Sequence, residues 1–555
     1  MDAIRQSQIP STATLRPCME KSRGRDGEDG SFDSDNIYIE GDNLEVLKLL
    51  QRGYHGKVKM IYIDPPYNTG HDFVYKDNFG DTIENYKQQA GLAGQSNADT
   101  SGRFHSDWCS MMYPRLRLAR ELLSDDGIIF ISIGNQEVSN LASICDEIYG
   151  ESCRLGIIVW ESKTKCQNTS TAKRQLQPKQ EYILVYERTP GRYEFSLETK
   201  EAHDYNLTDE NGMPFRIKRI EEMSASGTRG RATMVFPILG VMPGKSKQWK
   251  LGQDTIQSYE ARGDLLLVDG VPSFRCRPDD EEDSMLPFWS LIGKEIGTAE
   301  TAKTDLNRLM GTTGFETVKP TELVKKLLLH VCGGDSDALI LDFFGGSSTT
   351  AHSVAQFNYE HNTGVRIITV QIPEACAEDS DSFAAGYKTI TDIGEERIRR
   401  AGDKIKTELE ESNRQLKLGE EPKQLPDIGF RVFRLDDSGI EKPEPGQLLF
   451  DVVKPDRSDM DIVFEMMLKW GLELTLPVEQ EDAAGYPIYS VAYGELICCL
   501  APGLTTEALE AIADMEPRRV LMRDSILTDT LKLNAVQVFK RMEHKANYEV
   551  ELRTV

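Results

Sequence analysis

Apolar positions along this chain follow two periods. Short runs such as Ile37-Tyr38-Ile39, Val58-Lys59-Met60-Ile61-Tyr62-Ile63 and Leu339-Ile340-Leu341 have the length of buried strands, whereas Leu323, Val324, Leu327 and Leu328 share one helix face. Their alternation predicts an α/β chain. Strands are expected at 37–41, 58–63, 128–133, 338–342 and 366–372. Helices are expected at 44–50, capped by Asn43, at 107–123, and at 392–413, where Glu and Arg mix as on an exposed face. Pro320 suits a first helical turn. Residues 77–106, rich in Gly, Gln, Asn and Asp, read as a mobile loop. From about 160 to 300 the pattern turns irregular and β-rich, and after about 427 it resumes as a small α/β tail. Residues 1–32 are polar and Gly/Ser-rich and read as flexible. The expected organisation is therefore a flexible segment at 1–32, a core in two halves at 33–160 and 301–426, an insert at 161–300, and a C-terminal domain at 427–555.

The run at 58–63 delivers Asp64-Pro65-Pro66-Tyr67, which carries the most specific chemistry in the chain. The exocyclic amine of adenine or cytosine is a poor nucleophile, because its lone pair is delocalised into the ring. A carboxylate at a rigid strand end, followed by a Pro carbonyl of restricted swing, can accept both amine protons and turn the lone pair toward an electrophilic methyl. Asp64 and the Pro65 carbonyl fit these roles. The base must also leave the duplex, and an aromatic face such as Tyr67 offsets part of that cost by stacking. A plain strand end with a Pro-Pro turn and a solvated Asp is the competing reading. The second motif is Leu339-Ile340-Leu341-Asp342-Phe343-Phe344-Gly345-Gly346-Ser347-Ser348-Thr349-Thr350. There an apolar strand enters a loop of small residues at a helix start, where backbone N–H groups can approach a charged cofactor.

With these two motifs the chain resembles the amino-methyltransferases of the β arrangement, and within them the modification subunits of type III restriction-modification systems. The resemblance spans roughly 35–435 and also rests on Ile37 to Asn43, Met112 to Ala119, Asp126 to Ile133, Glu181 to Tyr186, Lys319 to Leu323, Gly386 to Ile390 and Glu396 to Gly402. Order is its specific part, since the catalytic motif precedes the cofactor glycines, from 64 to 346, a gap of 282 positions that leaves room for a DNA-reading insert. It implies a Rossmann-like, S-adenosylmethionine-dependent methyltransferase core with an inserted target-recognition domain and a small α/β C-terminal domain. Asp64, Pro65, Pro66 and Tyr67 would be catalytic. Asp42, Lys319, Pro320, Asp342, Phe344, Gly345, Gly346 and Ser347 would face the cofactor. One departure stands out. Ser348 occupies the family's second glycine position, which costs of order 1 kcal/mol if its φ is positive. Gln371 also stands where many methyltransferases carry an acid for the ribose, with Glu374 following.

Charge locates the nucleic-acid surface. The net charge is −25, which repels a polyanion at long range. Residues 163–250 nevertheless hold 16 Lys+Arg against 10 Asp+Glu, a surplus of six that leaves −31 elsewhere. Lys163, Lys165, Lys173, Arg174, Arg229 and Arg231 are the candidate DNA contacts, against the default of a solvated loop. The ten Cys include no Cys-x-x-Cys, and no His cluster has metal spacing, so neither a zinc site nor a disulfide frame is expected. No apolar stretch reaches 18 residues and no signal pattern follows Met1, which points to a cytoplasmic protein. The expected function is adenine-N6 methylation of double-stranded DNA, by a homodimer that pairs with a helicase/nuclease restriction subunit. Cytosine N4, an RNA substrate and a non-catalytic DNA-reading subunit are the alternatives.

Overall fold

The computed structural model describes residues 2–68, 101–165, 176–199, 205–226, 230–280, 285–311, 315, 317–416, 421–441, 452–546 and 548–555. They fall into two compact units, one of residues 1–196 with 289–555 and one of residues 197–288.

The larger unit is built on a ten-stranded sheet of β1 (Ala13–Pro17), β2 (Ile37–Glu40), β3 (Val58–Ile63), β4 (Leu123–Ile133), β5 (Arg154–Trp160), β6 (Glu181–Glu187), β7 (Leu291–Ile292), β8 (Leu339–Asp342), β9 (Arg366–Gln371) and β10 (Arg431–Asp437). The order is β1-β10-β2-β9-β8-β3-β4-β6-β5-β7. The six strands from β10 to β4 in that order are mutually parallel. Parallel strands bury both faces, which is why they read as unbroken apolar runs. Met60, Ile61, Ile63, Ile340 and Leu341 are fully buried. The helices that bear on the site are α1 (Asn43–Tyr54), α2 (Ser101–Leu122), α3 (Ala299–Met310), α4 (Thr321–Cys332), α5 (Thr349–His361), α6 (Ile390–Arg414) and α7 (Asp459–Trp470). This is the Rossmann-like mixed α/β architecture expected from the sequence.

Several boundaries differ from expectation. Residues 1–32 are not a loose tail: β1 adds an antiparallel edge strand to β10, with Leu15 opposite Leu435 and wholly buried. Their polarity misleads because the charges are paired with residues far along the chain. Arg16 bonds Asp436 and Asp461, and Lys21 bonds Glu40, Asp392 and Glu395. Helix α2 begins at Ser101 and so takes the end of the segment read as a loop at 77–106, whose residues 77–100 lie outside the described ones. The insert is narrower than 161–300, since β6 pairs with both β4 and β5 inside the central sheet. The compact unit at 197–288 carries a four-stranded sheet and a small core of its own around Trp249, Ile256, Tyr259 and Phe274. Likewise the C-terminal domain does not begin at 427. β10 lies parallel to β2, α7 joins the main core, and only Val478–Ala483 onward forms a separate five-stranded sheet with its own apolar cluster.

Candidate active site

Strands β3 and β8 are neighbours, with Met60 opposite Ile340 and Ile61 opposite Leu341. Because they are parallel, both chains leave the sheet at the same edge. The Asp64 turn and the Gly-rich loop, 282 residues apart in sequence, therefore emerge side by side where an open α/β sheet places its ligand crevice.

Asp64 follows β3 directly. Its Oδ2 accepts a 2.7 Å hydrogen bond from the Lys319 ammonium, while Oδ1 is buried with no partner among the described residues. Lys319 is 4% exposed in its side chain and also lies 3.4 Å from Glu181 Oε2. Burial works against its charge, but the carboxylates of Asp64 and Glu181 outweigh that and hold the ammonium above the usual lysine range. The Tyr67 hydroxyl donates to the same Glu181 oxygen at 2.9 Å, and Lys319 Nζ sits 5.0 Å from the Tyr67 ring centroid. Burial, then Asp64 and Glu181, push the Tyr67 hydroxyl well above the usual tyrosine range. Below the turn, the Trp108 indole donates to the Pro66 carbonyl at 2.7 Å. Among the described residues no donor engages the Pro65 carbonyl. Asn68 holds a left-handed φ of 55° and donates to the buried Glu137.

The loop after β8 is fixed from several sides. Asp342 accepts from the Phe344 amide at 3.0 Å and the Thr350 hydroxyl at 2.6 Å, and burial raises its carboxyl to about 7 despite both bonds. Gly345 is there for room, since a Cβ would meet Thr369 at 2.6 Å. Gly346 is there for conformation, with φ 50°, and its N–H donates to the Gln371 side chain at 2.7 Å. Gln371 is thus a brace for the loop. Asp42 caps α1 through the Leu44 and Glu45 amides and lies 3.4 Å from Arg115, while Asn43, expected as the cap, donates instead to the Phe343 carbonyl. Pro320 directly precedes α4 and is buried.

Ser348 does take the left-handed conformation, with φ 59° and ψ 38°. Its Oγ and the Tyr38 hydroxyl share a closed space into which a Cβ on Gly394 would press, at 2.5 and 2.8 Å. Gly394 on α6 thus makes the room that this serine uses. Ser348→Gly is expected to stabilise the chain by about 1 kcal/mol, the cost of a left-handed L-residue, read as a higher urea midpoint at unchanged slope. An unchanged or lower midpoint would show that the hydroxyl contributes more than the backbone strain costs.

Of the basic candidates, Lys165 and Arg231 are exposed and Lys163 is half-buried, while Lys173, Arg174 and Arg229 lie outside the described residues. Sequence reading placed Lys319 toward a cofactor, whereas the structure sets its ammonium on Asp64 and Glu181. Glu181 and Trp108 shape the site without any local signal of that role. The nearest thing to one is a charge at the head of the apolar run Glu181 to Tyr186, since a buried carboxylate needs a partner.

A Rossmann-like sheet with this turn and this loop at one edge is the framework of a DNA methyltransferase, and the family model described as DNA methylase matches residues 58–401. The Mod subunit of the type III restriction-modification enzyme EcoP15I from Escherichia coli is 30% identical over 588 residues, covering 94% of this chain and 85% of the relative. The StyLTI Mod subunit of Salmonella typhimurium is 33% identical over 72% of this chain and 60% of its own length. Among solved structures, the M1.HpyAVI–SAM complex aligns with 65% of this chain and 98% of its own, at 12% identity and a TM-score of 0.29. The chain belongs to the DNA methylase family, whose members are S-adenosylmethionine-dependent, and within it to the type III modification subunits.

Proposed function

We propose that this protein methylates the N6 amine of adenine in double-stranded DNA, as the modification subunit of a type III restriction-modification system. The observation that carries the reading is Asp64, a carboxylate with one oxygen held by Lys319 and the other buried without a partner, beside a Gly-rich loop on the neighbouring strand. S-adenosylmethionine, when bound, supplies an electrophilic sulfonium methyl. The loop suits such a group, because Gly345 lets the backbone close onto Thr369 while beside Gly346 the space a Cβ would take is open, the Phe344 carbonyl standing 3.8 Å away. Asp64 Oδ1 and the Pro65 carbonyl would accept the two amine protons, and the Tyr67 ring would support the extruded base. Transfer is a direct displacement, with no covalent bond between enzyme and base. Its first test is the Asp64 substitution argued in the Discussion.

The basic segment at 163–250 supports a DNA-reading role, and its partner would be duplex DNA in the cytoplasm, with a restriction subunit joining the complex. Replacing Lys173 and Arg174 by Ala should weaken DNA binding and reduce the steepness of its salt dependence by up to roughly 0.9 per lost phosphate contact, with cofactor affinity unchanged. A homodimer would give one catalytic molecule access to two basic inserts, so sedimentation should show a dimer before DNA is added. A monomer whose DNA affinity ignores both the double substitution and salt would place the DNA-reading surface elsewhere.

A further inference from the structure

Arg397 on α6 is 3% exposed, and no carboxylate among the described residues lies within ion-pair distance of it. One of its terminal nitrogens donates to the Ser347 carbonyl, the Ser347 hydroxyl and the Thr349 hydroxyl at 2.8–3.0 Å, and its Nε donates to His352 Nδ1 at 3.3 Å. All four acceptors are neutral. A buried cation left with neutral partners is expensive, and burial alone pulls the guanidinium down to about 9. The bond to Nδ1 also fixes the His352 tautomer, because an acceptor Nδ1 leaves the proton on Nε2. Burial, with Arg397 and Lys404 nearby, keeps this imidazole neutral by lowering its pKa well below the usual value. His352, 9% exposed, thus presents an N–H donor at Nε2, and that atom is buried with no partner among the described residues.

Both side chains line a cavity of about 340 Å³ together with Gln356, Lys404, Asp305 and Glu322. The two acids do not supply the missing charge, since Asp305 pairs with Arg308 at 2.9 Å and Glu322 with Lys325 at 2.8 Å, each on its own helix. Among the described residues Lys404 has one carboxylate contact, with Glu408 at 3.7 Å. Lys319, which Asp64 holds from the catalytic side, and Arg308, which Asp305 holds, also line the wall, so among the described residues it carries surplus positive charge at Arg397 and Lys404, a directed N–H donor and no anion left to match them.

We propose that this cavity is an oxyanion-binding site, in which Arg397, His352 Nε2–H and Lys404 hold a phosphate or carboxylate group. Two sources share that chemistry: a free inorganic phosphate, or the carboxylate of the methyl donor, the latter resting on the cofactor reading above. Arg397 links the site to the Gly-rich loop through Ser347, so occupancy would neutralise the guanidinium that braces that loop.

The test uses the full chain. Gln356→Glu is nearly isosteric and places a carboxylate in the cavity wall, and Lys404→Gln removes a largely exposed cation; either serves if the other unfolds. Calorimetry would measure inorganic phosphate, S-adenosylmethionine and its decarboxylated analogue on wild type and both variants. Phosphate binding that falls tenfold or more in the variants supports a free-anion site. No phosphate binding, but a tenfold preference for the methyl donor over its decarboxylated analogue that the variants abolish, supports the cofactor carboxylate. If neither is seen, or both persist in the variants, the inference is overturned. Should wild type bind no methyl donor at all, that failure belongs to the cofactor reading and the phosphate arm alone decides.

Discussion

Asp64→Ala is expected to lower methyl transfer by about 10² or more, the scale of losing one preorganised contact to a reacting group. The reason lies in how the two carboxylate oxygens are used. Oδ2 is held at 2.7 Å by Lys319, and Oδ1 is buried and unmatched, so an incoming amine N–H finds an acceptor already aimed and already desolvated. Alanine removes that acceptor while leaving Lys319 with Glu181, 3.4 Å away, so the turn should keep its fold. Methyl-donor affinity and DNA affinity should stay within a few-fold. Single-turnover methylation of a duplex, with both affinities measured in parallel, checks this. Wild-type rates in the variant would remove Asp64 from the chemistry.

The parts legible from sequence are those whose physics is local. β3 and β8 read correctly because strands buried on both faces are apolar at every position. The Asp64 turn and the Gly345–Gly346 loop read correctly because Pro and Gly announce backbone geometry at single positions. Failures occurred where a charged residue is satisfied from afar. Lys21 and Arg16 looked solvent-seeking, yet their partners lie at Glu40, Glu395, Asp436 and Asp461. β6 was assigned to the insert because sequence places it there, whereas antiparallel pairing with β4 draws it into the central sheet.

The site was divided in the same way. The turn itself is written in four residues, but its supports come from three other elements: Trp108 on α2, Glu181 at the head of β6, and Lys319 before α4. Nothing in the local sequence says that these side chains converge. Ser348 shows the converse. It was legible as a departure from a glycine pattern, but its accommodation depends on Gly394, a residue 46 positions later that leaves space for the hydroxyl.

Lys319→Met should both destabilise the chain and shift its pH profile. Removing one partner from a buried ion cluster leaves the others uncompensated, at a cost of about 3–5 kcal/mol. In the wild type the Lys319 ammonium is held above its ordinary value, so its stabilising contribution is complete below about pH 10.4 and is lost only as pH rises through the raised value. In the variant the half-buried Asp64 carboxylate and the buried Glu181 carboxylate, which had shared one ammonium, face each other. One of them then keeps its proton to a higher pH. Because the amine needs an ionised Asp64 to offer Oδ1 as an acceptor, methylation in the variant should fall off earlier as pH drops, moving the acid limb of the rate profile upward. Adding Glu181→Gln removes the like charge and should return the limb toward its wild-type position, whereas a merely structural loss would lower the rate at every pH alike. An acid limb that does not move in the single variant would mean that Lys319 does not govern the charge on Asp64.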